Sequence, residues 1–228
     1  MTQPIDAPWE TARRALDFVK DGQTLGLGSG RAAAAFVEVL GEKVRAGLRV
    51  RGVPTSIATA ELATKVGVPL LALEEAGELD VAFDGADEVD PRLDLVKGYG
   101  GALVREMIVA ASARRFVVLV GEEKLVSALG ERGRIPVEIV PYALPLARRK
   151  LEGLGLEPVV RTKADGGTYV TDNGNWILDC GTKALRDAAA LERAVRVLPG
   201  VVGTGLFLGM ADAVLVQDGK QVRVMQRS

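Results

Sequence analysis

The sequence predicts an α/β protein. A parallel sheet is covered by helices on both faces, and a smaller α+β unit is inserted before the chain returns to that sheet. Three observations carry this. Through about residue 130, short apolar runs alternate with helix-period segments, the grammar of a doubly covered parallel sheet. From about Ile135 the order becomes strand-helix-strand-strand-helix-strand, a split α+β arrangement. The chain then closes on two apolar runs flanking Asp218-Gly219, a hairpin signal. The length of 228 residues and an apolar fraction of 48% are enough for one large domain and a small one.

The elements follow in order. Asp6 and Pro8 open a first helix in which Ala12, Ala15, Leu16 and Val19 recur at helical spacing, and Gly22 ends it. Thr24–Leu27 reads as a buried strand, 32–44 as a helix, 49–53 as a second strand and Ile57–Val66 as a second helix. A short strand is expected at 68–73, and an apolar strand at 79–83 runs into Asp84. Residues 95–97 lead into a glycine loop, 102–113 form a helix, and 116–120 form the cleanest parallel-type strand. In the inserted part, strands are expected at 137–140, 157–161, 168–171 and 176–180, helices at 144–154 and 185–197, and a strand-like run at 201–208. The resulting domains are 1–130 with 203–228, and 131–202.

Composition excludes several classes of function. Lys+Arg is 29 and Asp+Glu is 30, so bulk charge gives no reason to seek nucleic acid. The longest plain apolar run, Phe116–Val120, is far short of the ~20 residues a spanning helix needs. The start lacks a basic-then-apolar signal pattern. The single cysteine, Cys180, can form no intrachain disulfide, which fits a reducing cytoplasm, and it reads as a small buried apolar residue. There is no histidine, so His-dependent nucleophile systems and His-bound zinc are excluded, and acid–base work falls to carboxylates, Lys, Tyr or Cys.

Three segments can carry chemistry. Gly26-Leu-Gly-Ser-Gly-Arg31 follows a strand and opens a helix, where backbone N–H groups and the helix dipole favour an anion and Arg31 adds positive charge. It matches neither the dinucleotide fingerprint nor the P-loop, and its plainer interpretation is a tight turn. Asp84-Gly-Ala-Asp87-Glu-Val-Asp90 places carboxylates at the carboxyl end of a strand, where open α/β sheets bind ligands; a solvated acidic loop or a hard-cation site are the alternatives. Lys97-Gly-Tyr-Gly-Gly101 is a second anion-friendly loop before a helix. On that helix the neighbours of Glu106 at three and four residues, Ala102, Leu103, Val109 and Ala110, are all apolar. Burial raises the pKa of such a carboxylate towards that of a general base, while a pair with Arg105 or simple exposure would leave it inert. Lys124, after the 116–120 strand, can meet a phosphate or be a surface lysine. Trp9, Tyr99 and Trp176 read as packing groups.

Taken together, the stretches GLGSGR, DGADEVD, KGYGGALVRE, PVEIVPYA, TDNGNWILD and PGVVGTGLFLGMADAVLV resemble those of the A-type ribose-5-phosphate isomerases, in the same order and over almost the whole chain. The resemblance implies a Rossmann-like domain with an inserted ferredoxin-like α+β domain. It implies a cytoplasmic homodimer or homotetramer of the pentose phosphate pathway that interconverts ribose 5-phosphate and ribulose 5-phosphate without metal or cofactor. By the same resemblance, Glu106 is the general base and Lys97 the partner of the reacting oxygens. Asp84 and Asp87 assist ring opening and proton shuttling. Ser29, Gly30, Gly85, Ala86, Gly98, Tyr99, Gly100 and Lys124 contact the substrate. The chain departs from the family where a Ser-Thr pair usually follows Ser29-Gly30; Arg31 and Ala32 stand there, so Arg31 is expected to replace the lost hydroxyl donors. Tyr99 stands where a third glycine is common and is expected to point away, leaving binding to the backbone. A sugar-phosphate-binding sensor module is the main alternative, and a CoA transferase with a glutamate nucleophile a weaker one.

Overall fold

The structure, a computed structural model, describes residues 8–227. In chain order the elements are α1 (Trp9–Ala15, continued by a 3-10 turn at Leu16–Phe18), β1 (Thr24–Leu27), α2 (Gly30–Arg45), β2 (Arg51–Pro54), α3 (Ile57–Val66), α4 (Leu73–Ala76), β3 (Val81–Gly85), β4 (Glu88–Val89), β5 (Leu95–Val96), α5 (Leu103–Ala111), β6 (Phe116–Gly121), β7 (Arg134–Ile139), α6 (Leu144–Gly153), β8 (Glu157–Val160), β9 (Trp176–Gly181), α7 (Ala188–Arg196), β10 (Val201–Thr204), β11 (Leu206–Phe207), β12 (Ala213–Asp218) and β13 (Gln221–Gln226). Asp6, the expected helix start, lies outside the described residues.

Two compact units result. The first takes in the described residues up to Ala86, Arg105–Lys124 and 210–227; the second takes in Asp87–Val104 and Leu125–Gly209. The sequence-based boundaries follow the insertion alone, at 131–202. The second compact unit also gathers the segment around β4 and β5, because β5 pairs with β11, more than a hundred residues later in the chain. No local pattern in the sequence reports such a pairing.

In the first unit the sheet runs β13-β12-β6-β3-β1-β2, with every pair parallel except the β12–β13 hairpin. Counting only the parallel strands, the order is 2-1-3-4-5, as in doubly wound sheets. β6 sits between β3 and β12 and its apolar residues are buried, which explains an uninterrupted Phe-Val-Val-Leu-Val run rather than an alternating one. The core gathers Leu25, Leu27, Phe36, Leu40, Phe83, Val117, Leu119 and Leu215, with the Phe36 and Phe83 rings stacked at 4.2 Å. Trp9 packs against this core, as expected of a packing group. Local rules fix α3 at both ends: Ser56 Oγ accepts from the Thr59 N–H at 3.1 Å, and Gly67 closes the helix in the left-handed region.

The second unit holds a three-stranded sheet, β11-β5-β4, and an antiparallel four-stranded sheet, β10-β7-β9-β8. Numbered within that sheet the order is 4-1-3-2, the ferredoxin-like arrangement. Val137, Ile139, Leu178 and Cys180 pack with α6 and α7 residues Ala147, Leu151 and Val195 in one core. Glu138, on the opposite face of β7 by strand alternation, is fully buried. Its Oε1 accepts from Thr171 Oγ1 (3.1 Å), Asn173 Nδ2 (3.1 Å) and Asn175 Nδ2 (2.9 Å), which accounts for the Thr-Asp-Asn-Gly-Asn segment as structure. Burial pushes the Cys180 thiol up to about 12, so it is not a thiolate at neutral pH. Iodoacetamide at neutral pH is therefore expected to leave the folded protein unlabelled by mass spectrometry and to alkylate Cys180 only in denaturant; labelling of the folded protein at the denatured rate would contradict this burial.

Several expected elements differ. The strand expected at 68–73 is a single parallel bridge at Leu70 followed by α4. The strand expected at 168–171 is reduced to bridges at Thr168 and Val170, within a turn organised by Glu138. The run 201–208 is two strands in different sheets, broken at Gly205. Glu88–Val89, expected in an acidic loop, is a strand. The helix expected from Leu185 starts three residues later, where Asp187 accepts from the Ala190 N–H at 2.8 Å.

Candidate active site

In a doubly wound sheet of this order, ligands bind beyond the carboxyl ends of the strands where the order reverses, here between β1 and β3. Gly28 follows β1, and its N–H donates to the Phe83 carbonyl at 2.8 Å. A Cβ at Gly28 would collide with the Asp84 carboxyl group, so glycine there lets the turn lie directly on Asp84. Asp84, 3% exposed, accepts at Oδ1 from the Ser29 N–H (3.0 Å) and the Gly85 N–H (2.7 Å), which fixes its carboxylate. Gly30, at φ +82°, turns the chain into α2. Ser29 occupies the N-cap position but makes no side-chain cap bond. Its Oγ instead meets Thr55 Oγ1 (2.7 Å) and Ser56 Oγ (3.0 Å), while Thr59 Oγ1 donates to the Gly28 carbonyl at 2.9 Å. The first turn of the 16-residue α2 is thus left without a side-chain cap and with its dipole aimed at the turn, an arrangement suited to an anion. Arg31 is exposed and Ala32 half-buried in that turn, and Gly85 and Ala86 are half-buried at the end of β3.

Gly28→Ala is expected to lower the unfolding free energy by about 1–3 kcal/mol, the usual cost of forcing an extra carbon into packed surroundings. Urea titration measures this. An unchanged midpoint would mean that Asp84 is not held against the turn.

The same edge of the first unit carries two more of the expected residues. Lys124 ends the turn Glu122–Lys124 after β6 and is half-buried. Glu106 lies in the first turn of α5, 5% exposed. α5 places Val109 against Gly26, and the chain after it bridges Leu79 through Ala113 before β6 begins beside Ala82. The helix therefore runs from the carboxyl edge of the sheet to its amino edge, with Glu106 at the former. Its neighbours Val109 and Ala110 are buried, as the apolar spacing predicts.

Asp87, Lys97 and the Gly98–Gly101 loop belong to the second unit. The Lys97 N–H donates to the Gly205 carbonyl at 2.8 Å, and a Cβ at Gly205 would collide with the Lys97 carbonyl. Lys97 is 2% exposed, with Nζ 5.5 Å from the centre of the Phe207 ring. Asp87 Oδ2 accepts from the Tyr99 N–H at 2.9 Å. The Tyr99 side chain is occupied elsewhere: its hydroxyl donates to the Arg134 carbonyl (3.1 Å) and its ring lies 4.1 Å from the Arg134 guanidinium carbon. Burial, chiefly, pushes its phenol up to about 12.

The remaining carboxylates of the acidic segment are structural. Glu88 accepts from the Gly130 (2.6 Å) and Arg132 (2.8 Å) N–H groups, and Asp90 accepts from the Arg92 and Asp94 N–H groups in its own turn. Among the described residues no group of three or more Cys, Asp or Glu is placed to hold a metal ion. The alternation of β4 and the turn after it disperse the oxygens that the sequence lists side by side. The hydroxyls of Thr55, Ser56 and Thr59 around Ser29 were not foreseen from the sequence. A Ser-x-x-Thr helix start was the available signal, and it speaks only of capping.

The family model described as ribose 5-phosphate isomerase A (phosphoriboisomerase A) matches residues 51–221. The ribose-5-phosphate isomerase A of Roseiflexus castenholzii is 50% identical over 207 residues, 90% of this chain and 88% of its own. That of Bradyrhizobium diazoefficiens is 47% identical over 229 residues, 96% of this chain and 94% of its own. Among solved structures, ribose 5-phosphate isomerase A from Methanocaldococcus jannaschii superposes with a TM-score of 0.93 at 43% identity, covering 97% of this chain and 98% of that one. A D-ribose-5-phosphate isomerase in complex with phospho-erythronic acid superposes with a TM-score of 0.94 at 36% identity, covering 99% and 100%.

Proposed function

This chain belongs to the ribose 5-phosphate isomerase A family, and from that premise we propose that it interconverts D-ribose 5-phosphate and D-ribulose 5-phosphate by proton transfer through an enediolate. A sensor module is set aside, because the enzymes of that name match at 47–50% identity over 90% or more of this chain and 88% or more of their own. The geometric observation that supports the mechanism is the burial of the Glu106 carboxylate and of the Lys97 ammonium in a chain without histidine.

The chemistry asks for little more. Moving a proton between carbon 2 and carbon 1 needs one base that serves both carbons and a cation for the oxyanion that forms. Glu106 takes the proton and returns it, and Lys97 stabilises the enediolate oxygens. Asp84, held by two backbone N–H groups, and Asp87, held by the Tyr99 N–H, assist ring opening and move protons to and from the sugar oxygens. The phosphate lies at the uncapped start of α2 against Ser29, Gly30, Arg31 and Ala32, with Lys124 as a further cation. The hydroxyls around Ser29 and the charge of Arg31 do the work of the family's missing Ser-Thr pair. Gly85, Ala86 and the Gly98–Tyr99–Gly100 backbone line the sugar. Phospho-erythronic acid, bound by a solved relative, joins a phosphate to a carboxylate, whose two oxygens mimic those of an enediolate. No metal or cofactor takes part.

The test is ketose formation from ribose 5-phosphate by the purified protein in the presence of a chelator. Undiminished turnover is expected. Absence of ketose under all conditions overturns the reaction, and loss in chelator restored by magnesium or manganese overturns its metal independence. Lys124→Ala is expected to raise KM by about tenfold or more, roughly 1.4 kcal/mol of lost binding; an unchanged KM removes Lys124 from the phosphate site. The proposal extends to a homodimer or homotetramer working in the cytoplasm. Light scattering checks the assembly, and a monomeric mass would refute it. No helix among the described residues is long and apolar enough to cross a membrane.

A further inference from the structure

Resting on the proposal that the Gly98–Gly100 backbone faces the substrate, we propose that Arg161 and Asp179 are positioning residues for the reaction. They aim that loop, and Lys97 beside it, without touching the substrate themselves. Arg161 reaches Asp179 as a fork: Nε donates to Oδ2 at 2.9 Å and Nη2 to Oδ1 at 2.5 Å. Its remaining nitrogen, Nη1, donates to the carbonyls of Gly98 (2.8 Å) and Tyr99 (3.1 Å), more than sixty residues away in the chain. The next carbonyl, that of Gly100, accepts from the Tyr169 hydroxyl at 3.4 Å, and Tyr169 itself lies under the Arg161 guanidinium. Three consecutive carbonyls are thus drawn to one side.

Peptide planarity gives this a consequence. In a trans peptide the N–H points opposite to the C=O. Holding the Gly98 carbonyl on Arg161 turns the Tyr99 N–H the other way, and it is there that Asp87 accepts it. Holding the Tyr99 carbonyl on Arg161 likewise turns the Gly100 N–H away from the guanidinium. Gly98, at φ +103°, has no side chain to resist the arrangement. The side chains of Arg161 and Asp179 are only 10% and 15% exposed, so the pair is shielded from solvent, and Arg134 adds a second cation 3.6 Å from Asp179. Lysine cannot replace this arginine. An ammonium is a compact point charge, and it cannot fork onto a carboxylate while also serving two carbonyls.

The experiment compares Arg161→Lys, Asp179→Asn and Lys97→Met with the unmodified full-length enzyme. The readouts are kcat, KM, melting temperature, and inhibition constants for inorganic phosphate and for phospho-erythronate. Arg161→Lys is expected to lower kcat by at least ~10-fold, since misplacement by ~1 Å costs up to ~10²-fold. The phospho-erythronate constant should weaken in step, while that for inorganic phosphate stays within about twofold, a shift too small to count as a lost contact. Asp179→Asn keeps the volume and one acceptor, remains folded, and should move the same quantities in the same direction by less. Wild-type kcat and phospho-erythronate inhibition in both variants would overturn the proposal. So would equal weakening of both inhibitors alongside a lowered melting temperature, which marks general damage. If Lys97→Met itself keeps wild-type activity, the placement of the loop at the substrate fails instead.

Discussion

Glu106→Gln is expected to reduce turnover by at least ~100-fold, the low end for loss of a general base, with KM for ribose 5-phosphate changed little. Glutamine keeps the size and hydrogen bonding of the buried side chain but cannot accept a proton. The substitution therefore leaves packing beside Val109 and Ala110 intact and removes only the chemistry. A second readout is independent of turnover: exchange of the carbon 2 hydrogen with deuterated solvent should stop in the same variant. If the folded variant isomerises within a few-fold of the wild-type rate, Glu106 is not the base. The role would then pass to Asp84 or Asp87, the other carboxylates assigned to proton movement.

Lys97→Met is expected to lower kcat by about 10²–10³-fold, the usual consequence of removing one charge-stabilising donor from a transition state. Methionine keeps an unbranched chain over the Phe207 ring and avoids leaving a cavity at a position that is 2% exposed. The effect should fall on kcat rather than on KM, because the oxyanion is fully formed only beyond the ground state. A KM rise with kcat preserved would make Lys97 a ground-state binding group instead. The two substitutions combined should cost far less than the product of their separate effects, since an enediolate without its cation gains little from a base.

Much of the first unit was legible because its rules are local. The helix expected at Ile57–Val66 and the strand expected at Thr24–Leu27 have those bounds in the structure, because capping and burial period act within one element; the caps of the helix are Ser56 and Gly67. Misreadings fell where a distant partner decides. Val68–Leu73 is as apolar as a strand, yet it makes only one bridge, opposite Gly52, through the Pro69 carbonyl and the Leu71 N–H. Residues 201–208 are one apolar run in sequence but two strands in different sheets, because Gly205 lies against Lys97 and Pro136, where no side chain fits.

The sequence by itself determined the α/β class, a change to split α+β grammar from about Ile135, the absence of histidine chemistry, and the glycine turns and ionisable residues from which the site is drawn. These follow from composition, periodicity and the steric needs of glycine, all of which act over a few residues. Only the tertiary structure decided which carboxylates of Asp84–Asp90 are spent on structure, that three hydroxyls from the start of α3 surround Ser29, and that Arg161 and Asp179 hold the loop after Lys97. The reason is physical: a hydrogen bond is made to whatever donor or acceptor the fold brings within about 3 Å. Sequence spacing says nothing about a partner sixty residues away.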